Sequence, residues 1–208
     1  MVKQKGRRMS RFIHTAGVMA LLGLTPAMAN DYIGTMVPDA QKVGSARMTY
    51  MLWDVYDAVL YAPQGNWSAD SPFALKLTYL RDLHGQKIAD RSIKEMRTQG
   101  YNDEIRLAAW QDQMRKIFPD VKQGDVITGI FTADKQTVFF DGEREIGHIQ
   151  DPEFGQRFFD IWLNAKTSEP DLRTALLGAP PANQNRKTIA DVQDTQNTIR
   201  YGGTRTHD

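Results

Sequence analysis

The 208-residue chain has no cysteine. Disulfides, thiolate metal sites and a cysteine nucleophile are therefore excluded. It has no long hydrophobic run either. The longest, Ala16 to Leu24, is well short of the ~20 residues that span a bilayer. Neither sign of charge dominates: 26 Lys and Arg against 25 Asp and Glu give a net charge of +1. No basic patch argues for nucleic acid. The three histidines beyond the N-terminal segment, His84, His148 and His207, have no partner at metal-ligand spacing. No metal and no cofactor is expected. Ser45 and Ser92 lack the setting of an activated nucleophile. Parallel βαβ repetition is absent, which argues against a dinucleotide fold.

What is present begins at the N-terminus. Lys3, Lys5, Arg7, Arg8 and Arg11 precede the short apolar run, and Thr25-Pro26-Ala27-Met28-Ala29 places small residues at −3 and −1 of a cut after Ala29. That is the layout of a secretory signal peptide. Residues 1–29 are thus expected to be removed, leaving a periplasmic, mildly acidic chain of about 180 residues, enough for one domain with a real core. The mature chain is expected to be soluble rather than membrane-spanning.

Residues 30–41 are polar and read as irregular. Ala46 to Leu52 and Val55 to Tyr61 read as strands separated near Trp53-Asp54. In Phe73 to Tyr79, alternation puts Phe73, Leu75, Leu77 and Tyr79 on one face of a half-buried strand, and Arg81 shares their parity. Ile88 to Gln99 predicts a helix. Asn102 or Asp103 caps a second, with Ile105, Leu107, Ala108, Trp110, Met114 and Ile117 as its apolar positions. Val126 to Thr132, Thr137 to Phe140 and Ile146 to Ile149 form a meander. Asp141-Gly142 is its hairpin signal, read as a type I′ turn. Asp151-Pro152-Glu153 and Ser168-Glu169-Pro170 each open a helix. Phe154, Phe158, Ile161 and Trp162 stripe the first. Leu172, Leu176 and Leu177 stripe the second, with Gly178 as its C′ residue. Residues 179–208 are polar and are expected to be disordered. Strands, helices, strands and helices in this order indicate an α+β fold with an antiparallel sheet.

Tyr50, Tyr56 and Tyr79 fall on predicted strands, with Arg47 and Arg81 near strand ends. A guanidinium with tyrosines inside an apolar cleft would hold a carboxylate or phenolate. The alternative for Arg81 is a pair with an acid such as Glu95, or extension to water.

The chain resembles the bacterial exported branch of the chalcone isomerase-like family over roughly Lys42 to Gly178. The residues that carry the resemblance are Val43-Gly44, Val55 to Ala62, Leu75 to Arg81, Gly124 to Ile127 with the hairpin to Phe140, Phe158 to Leu163, and Leu172 to Gly178. The resemblance implies an open-faced β-sandwich: a large antiparallel sheet against a layer of helices, with a ligand cleft between them. The family's plant enzymes cyclise chalcones with an arginine, and related members bind fatty acids through arginine and tyrosine. The enzymes' arginine motif is displaced here, Gly44 standing near its place and Arg47 beyond it, so catalysis is not carried over. Arg47, Tyr56, Tyr79 and Arg81 are the ligand-binding candidates. The function expected is non-catalytic binding of a small amphipathic carboxylate or phenolate, such as a fatty acid. A cofactor-independent isomerase or lyase, and an envelope protein that binds a partner through its tail, are the alternatives.

Overall fold

Six strands form one antiparallel meander, order β1-β2-β3-β4-β5-β6, so every strand pairs with its sequence neighbour, and the long connection between the third and fourth strands carries two helices. A computed structural model describes residues 31–179. The expected signal peptide, and the expected disordered tail beyond Ala179, lie outside them. The strands are β1 (Ala40–Tyr50), β2 (Trp53–Pro63), β3 (Phe73–Tyr79), β4 (Val126–Phe131), β5 (Thr137–Asp141) and β6 (Arg144–Ile149). The helices are α1 (Asp31–Met36), α2 (Gly85–Thr98), α3 (Glu104–Ile117), α4 (Pro152–Leu163) and α5 (Pro170–Leu176). The α+β class and the antiparallel sheet are as the sequence predicts.

Alternation divides the sheet into two faces. Leu60, Leu75, Leu77, Ile127, Phe131 and Phe139 turn to the first face and pack under α2–α5. Ala74, Ile130, Val138 and Phe140 turn to the second, where Ile33 and Val37 cover them. Here the structure corrects the sequence reading. Asp31–Met36, expected to be irregular, is the helix α1. Tyr32, Ile33, Met36 and Val37 recur at helical spacing, and the stripe has a place to go. Tyr32 stacks on Phe140 at 4.7 Å and bonds the buried Thr128 hydroxyl at 3.0 Å.

Two further corrections concern turns. β1 and β2 are longer than expected and reverse at Met51-Leu52, two residues before Trp53-Asp54. At the Gly142-Glu143 turn only Gly142 has positive φ, 60°, which is the type II′ pattern rather than I′. Ile105, read as a core position of α3, is 85% exposed, whereas Leu107, Trp110 and Met114 are buried. Ile105 stands two residues from the fully buried Leu107, about 200° around the helix, so it faces solvent. α2 starts at Gly85, three residues before the expected Ile88, whereas α3 and α4 open at their expected caps. Asp103 accepts from the Arg106 amide, and Asp151 from the Glu153 amide.

Val43-Gly44 and Leu172 to Gly178, far apart in sequence, meet in space. A Cβ on Gly44 would stand 2.2 Å from the Ala175 carbonyl oxygen and 2.5 Å from that of Leu176. The backbone of α5 therefore lies directly on β1. Gly44→Ala should cost about 3 kcal/mol, because backbone cannot yield as a side chain can. Gly34→Ala, in open space on α1, should be neutral or stabilising by up to ~1 kcal/mol. Urea melts of the two variants check the contrast.

Candidate functional site

Sheet and helices part between β1–β4 and the helices α2 and α4, leaving a cavity of about 310 Å³. At ~30 Å³ each, about ten waters would fit there. They would find few partners. Leu75, Leu77, Ile127 and Phe139 form the floor, and Phe158 and Phe159 project from α4 above it. Such a space favours an apolar occupant.

The polar groups gather toward one side. Tyr56 and Tyr79 are directly paired in the β2–β3 register and both line the cavity. Their rings meet edge to face at 6.1 Å. Trp162 Nε1–H donates to the Tyr56 hydroxyl oxygen at 2.9 Å. Burial pushes the Tyr56 hydroxyl up to about 12. Burial, helped by Tyr56, raises Tyr79 as well. Both hydroxyls are thus neutral near pH 7 and can donate. Among the described residues neither of them donates to a protein acceptor.

α2 supplies a second polar group. Arg91 pairs with Glu95 Oε1 at 2.6 Å, and the other Glu95 oxygen accepts from Ser168 Oγ at 2.9 Å. Glu95 is 5% exposed, so both its oxygens need these partners. Glu169, also on the lining, has its pKa raised first by burial and then by the charge of Glu95, with Arg91 opposing. Arg81 and Lys87 complete the rim. Both are exposed, and among the described residues neither forms a salt bridge. Arg81 lies over the Trp53 ring at 5.4 Å.

Of the four candidates from sequence, the fold thus brings Tyr56, Tyr79 and Arg81 to the cavity. Arg47 is a correction. Side chains alternate along β1: Met48, opposite Tyr56, faces the cavity, while Arg47, opposite Asp57, faces away. Its guanidinium holds Asp57 at 2.7 and 2.9 Å and Asp54 at 3.0 Å. Those hydrogen bonds to Asp57 raise its pKa further, and they hold the guanidinium on the side of the sheet away from the cavity. Nor does Arg81 pair with Glu95; Arg91 does. Sequence reasoning missed Lys87, Arg91, Glu95, Ser168 and Glu169. One signal was available: Ile88, Ser92 and Glu95 are spaced as one helical stripe beside Ala89, Ile93 and Met96, so polar side chains share the buried side of α2.

His84 and His148 are exposed and lie beside Asp120 and Glu145; His207 is outside the described residues. Among the described residues, no group of three His, Cys, Asp or Glu side chains could hold a metal, and no helix is long and apolar enough to cross a membrane.

A six-stranded antiparallel meander with helices over one face and a cleft beneath them defines a chalcone isomerase-like architecture. The chain belongs to the chalcone isomerase-like family, whose model matches residues 42–178. Over 166 residues it is 27% identical to an uncharacterized protein of Haemophilus influenzae, covering 79% of this chain and 81% of that one. Its fold is similar to the crystal structure of an Arabidopsis thaliana fatty-acid binding protein, with TM-score 0.54 and 10% identity over 67% of this chain and 87% of that one.

The two buried tyrosines make an alkaline test. Their folded pKa values lie above the unfolded value of ~10, so the unfolded chain loses these protons first. Their contribution to stability is whole below pH ~10 and declines as pH rises through about 12. Urea melts should lose about 1.4 kcal/mol per pH unit for each tyrosine in that window. Tyr56→Phe should remove part of this slope.

Proposed function

We propose that the protein binds, without catalysis, a small amphipathic molecule with a carboxylate or phenolate head, such as a fatty acid. The observation that carries this is the apolar cavity with unpaired cations on its rim. An acyl chain or ring would lie over Leu75, Ile127 and Phe139 and displace poorly bonded water. The head would accept from the Tyr56 and Tyr79 hydroxyls, or meet Arg81 and Lys87 at the opening. The fatty-acid binding protein of similar fold is consistent with this use of the cleft.

Titration with a fluorescent long-chain fatty acid tests the reading. Saturable one-to-one binding is expected. Arg81→Gln should weaken it about tenfold, the worth of one charge-assisted hydrogen bond. Glu169→Gln should tighten it several-fold by removing a repelling charge. Equal affinity for the acid and its methyl ester would refute the role given to the head group.

One observation favours a second reading, a cofactor-independent isomerase. Glu169, with its raised pKa at the cavity edge, is placed to move a proton. Turnover of a chalcone or related enone, abolished by Glu169→Gln, would establish it.

The N-terminal segment supports export to the periplasm, with a cut after Ala29. Intact mass of the protein from an envelope fraction should begin at Asn30. A full-length mass in the cytosol would refute export.

A further inference from the structure

The apex of the β1–β2 hairpin is the most apolar exposed surface among the described residues. Tyr50 is 53% exposed, Met51 80%, Leu52 93% and Trp53 64%. Met51 also takes φ 55°, a strained conformation for a side chain of its kind. A hairpin turn has no need of these residues; Asn, Asp and Gly form one at lower cost. Both the exposure and the strain oppose stability, and neither is relieved within the described fold.

The apex adjoins the cavity. Tyr50 and Met48 of the same strand line it. Cations of the cavity rim lean on the apex: Arg81 over Trp53 at 5.4 Å, and Arg91 over Tyr50 at 5.8 Å. Lys87 stands on the same rim. The nearest hairpin carboxylate, Asp54, is occupied by Arg47 and Thr49. A protruding Tyr-Met-Leu-Trp tip with Arg and Lys around its base therefore combines interfacial aromatics, apolar side chains and positive charge.

We propose that this apex docks on an anionic lipid bilayer, with Met51, Leu52 and Trp53 entering the interface and Arg81 and Lys87 meeting the head groups. Trp and Tyr suit that depth, and long cationic side chains reach the surface beside them. A protein partner is the poorer fit. Four side chains at one apex fall short of the ~800 Å² that each side of a stable interface buries. Docking sets the cavity opening against the membrane, so an amphipathic ligand passes between the two without crossing water. That use rests on the ligand-binding reading; the docking does not.

The test uses the mature chain and tryptophan emission. Trp110 and Trp162 are buried and Trp67 is half-buried, so a change reports Trp53. On phosphatidylglycerol-containing vesicles a blue shift and protection from acrylamide are expected. Partition should be about 25-fold stronger than on phosphatidylcholine alone, from about fivefold for each of the two cations, and should weaken with added salt. The double variant Met51→Ser/Leu52→Ser should lose about tenfold or more in partition while keeping its affinity for the fluorescent fatty acid in solution. That retained affinity also shows that the variant folds. No shift on anionic vesicles, or equal partition by the variant, would overturn the proposal. So would sedimentation showing that the apex instead joins two copies of the chain. Docking without fatty-acid uptake would support the surface and refute only the reading of the cavity.

Discussion

Everything in this molecule hangs on the contact between one face of the meander and the aromatic ridge of α4. Without cysteine, no covalent link can hold sheet to helices, so apolar burial has to. Phe159 meets Phe73 edge to face at 4.7 Å, and Phe158 meets Phe139 at 5.3 Å. Phe154 continues the ridge and reaches Trp110 of α3 at 5.7 Å. Each ring adds area and an edge-to-face preference, which sets the tilt of α4 as well as its depth. At one end the layers close fully, where α5 lies on the glycine of β1. At the other end Phe158, Phe159 and Trp162 hold α4 off the sheet, and the space beneath is the cavity. The same contact that stabilises the fold thus makes its site.

Charge follows that geometry. Inside, Glu95 is tied by Arg91 and Ser168, and the Tyr56 oxygen by Trp162. Outside, Arg47 is saturated by two aspartates on the far side of the sheet. At the cavity rim, Arg81 and Lys87 form no salt bridge among the described residues. This asymmetry gives the opening a local positive character that the near-neutral composition of the chain conceals. The apolar hairpin apex stands beside those cations, so the cavity, the charge and the exposed tip form one continuous surface.

Much of this was legible from residues alone, for reasons that differ by element. In β3, Phe73, Leu75, Leu77 and Tyr79 all turn to the helix side, so the period-two signal is legible although Ala74 is buried on the other face. α4 opens with a cap and a proline and α5 with a proline, signals that act within a single turn of chain. The β1–β2 reversal was misplaced because Met51-Leu52 carries no turn chemistry. α1 was missed because a stripe of four apolar residues in so short a helix means little until a sheet face exists to receive it. Glu95 was offered only as a partner for Arg81, because which arginine reaches it depends on how α2 sits on the sheet.

By itself the sequence determined the α+β class, the antiparallel sheet, the parity that Tyr79 and Arg81 share, and the resemblance that led to the family. These depend on periodicity, capping and turn residues, which act over a few neighbours. The tertiary structure alone decided that Arg47 is spent on Asp57, that Arg91 rather than Arg81 holds Glu95, and that a space remains between sheet and α4. Those outcomes depend on register between strands and on how far apart two layers come to rest. Both are set by contacts among residues distant along the chain, which no local pattern records.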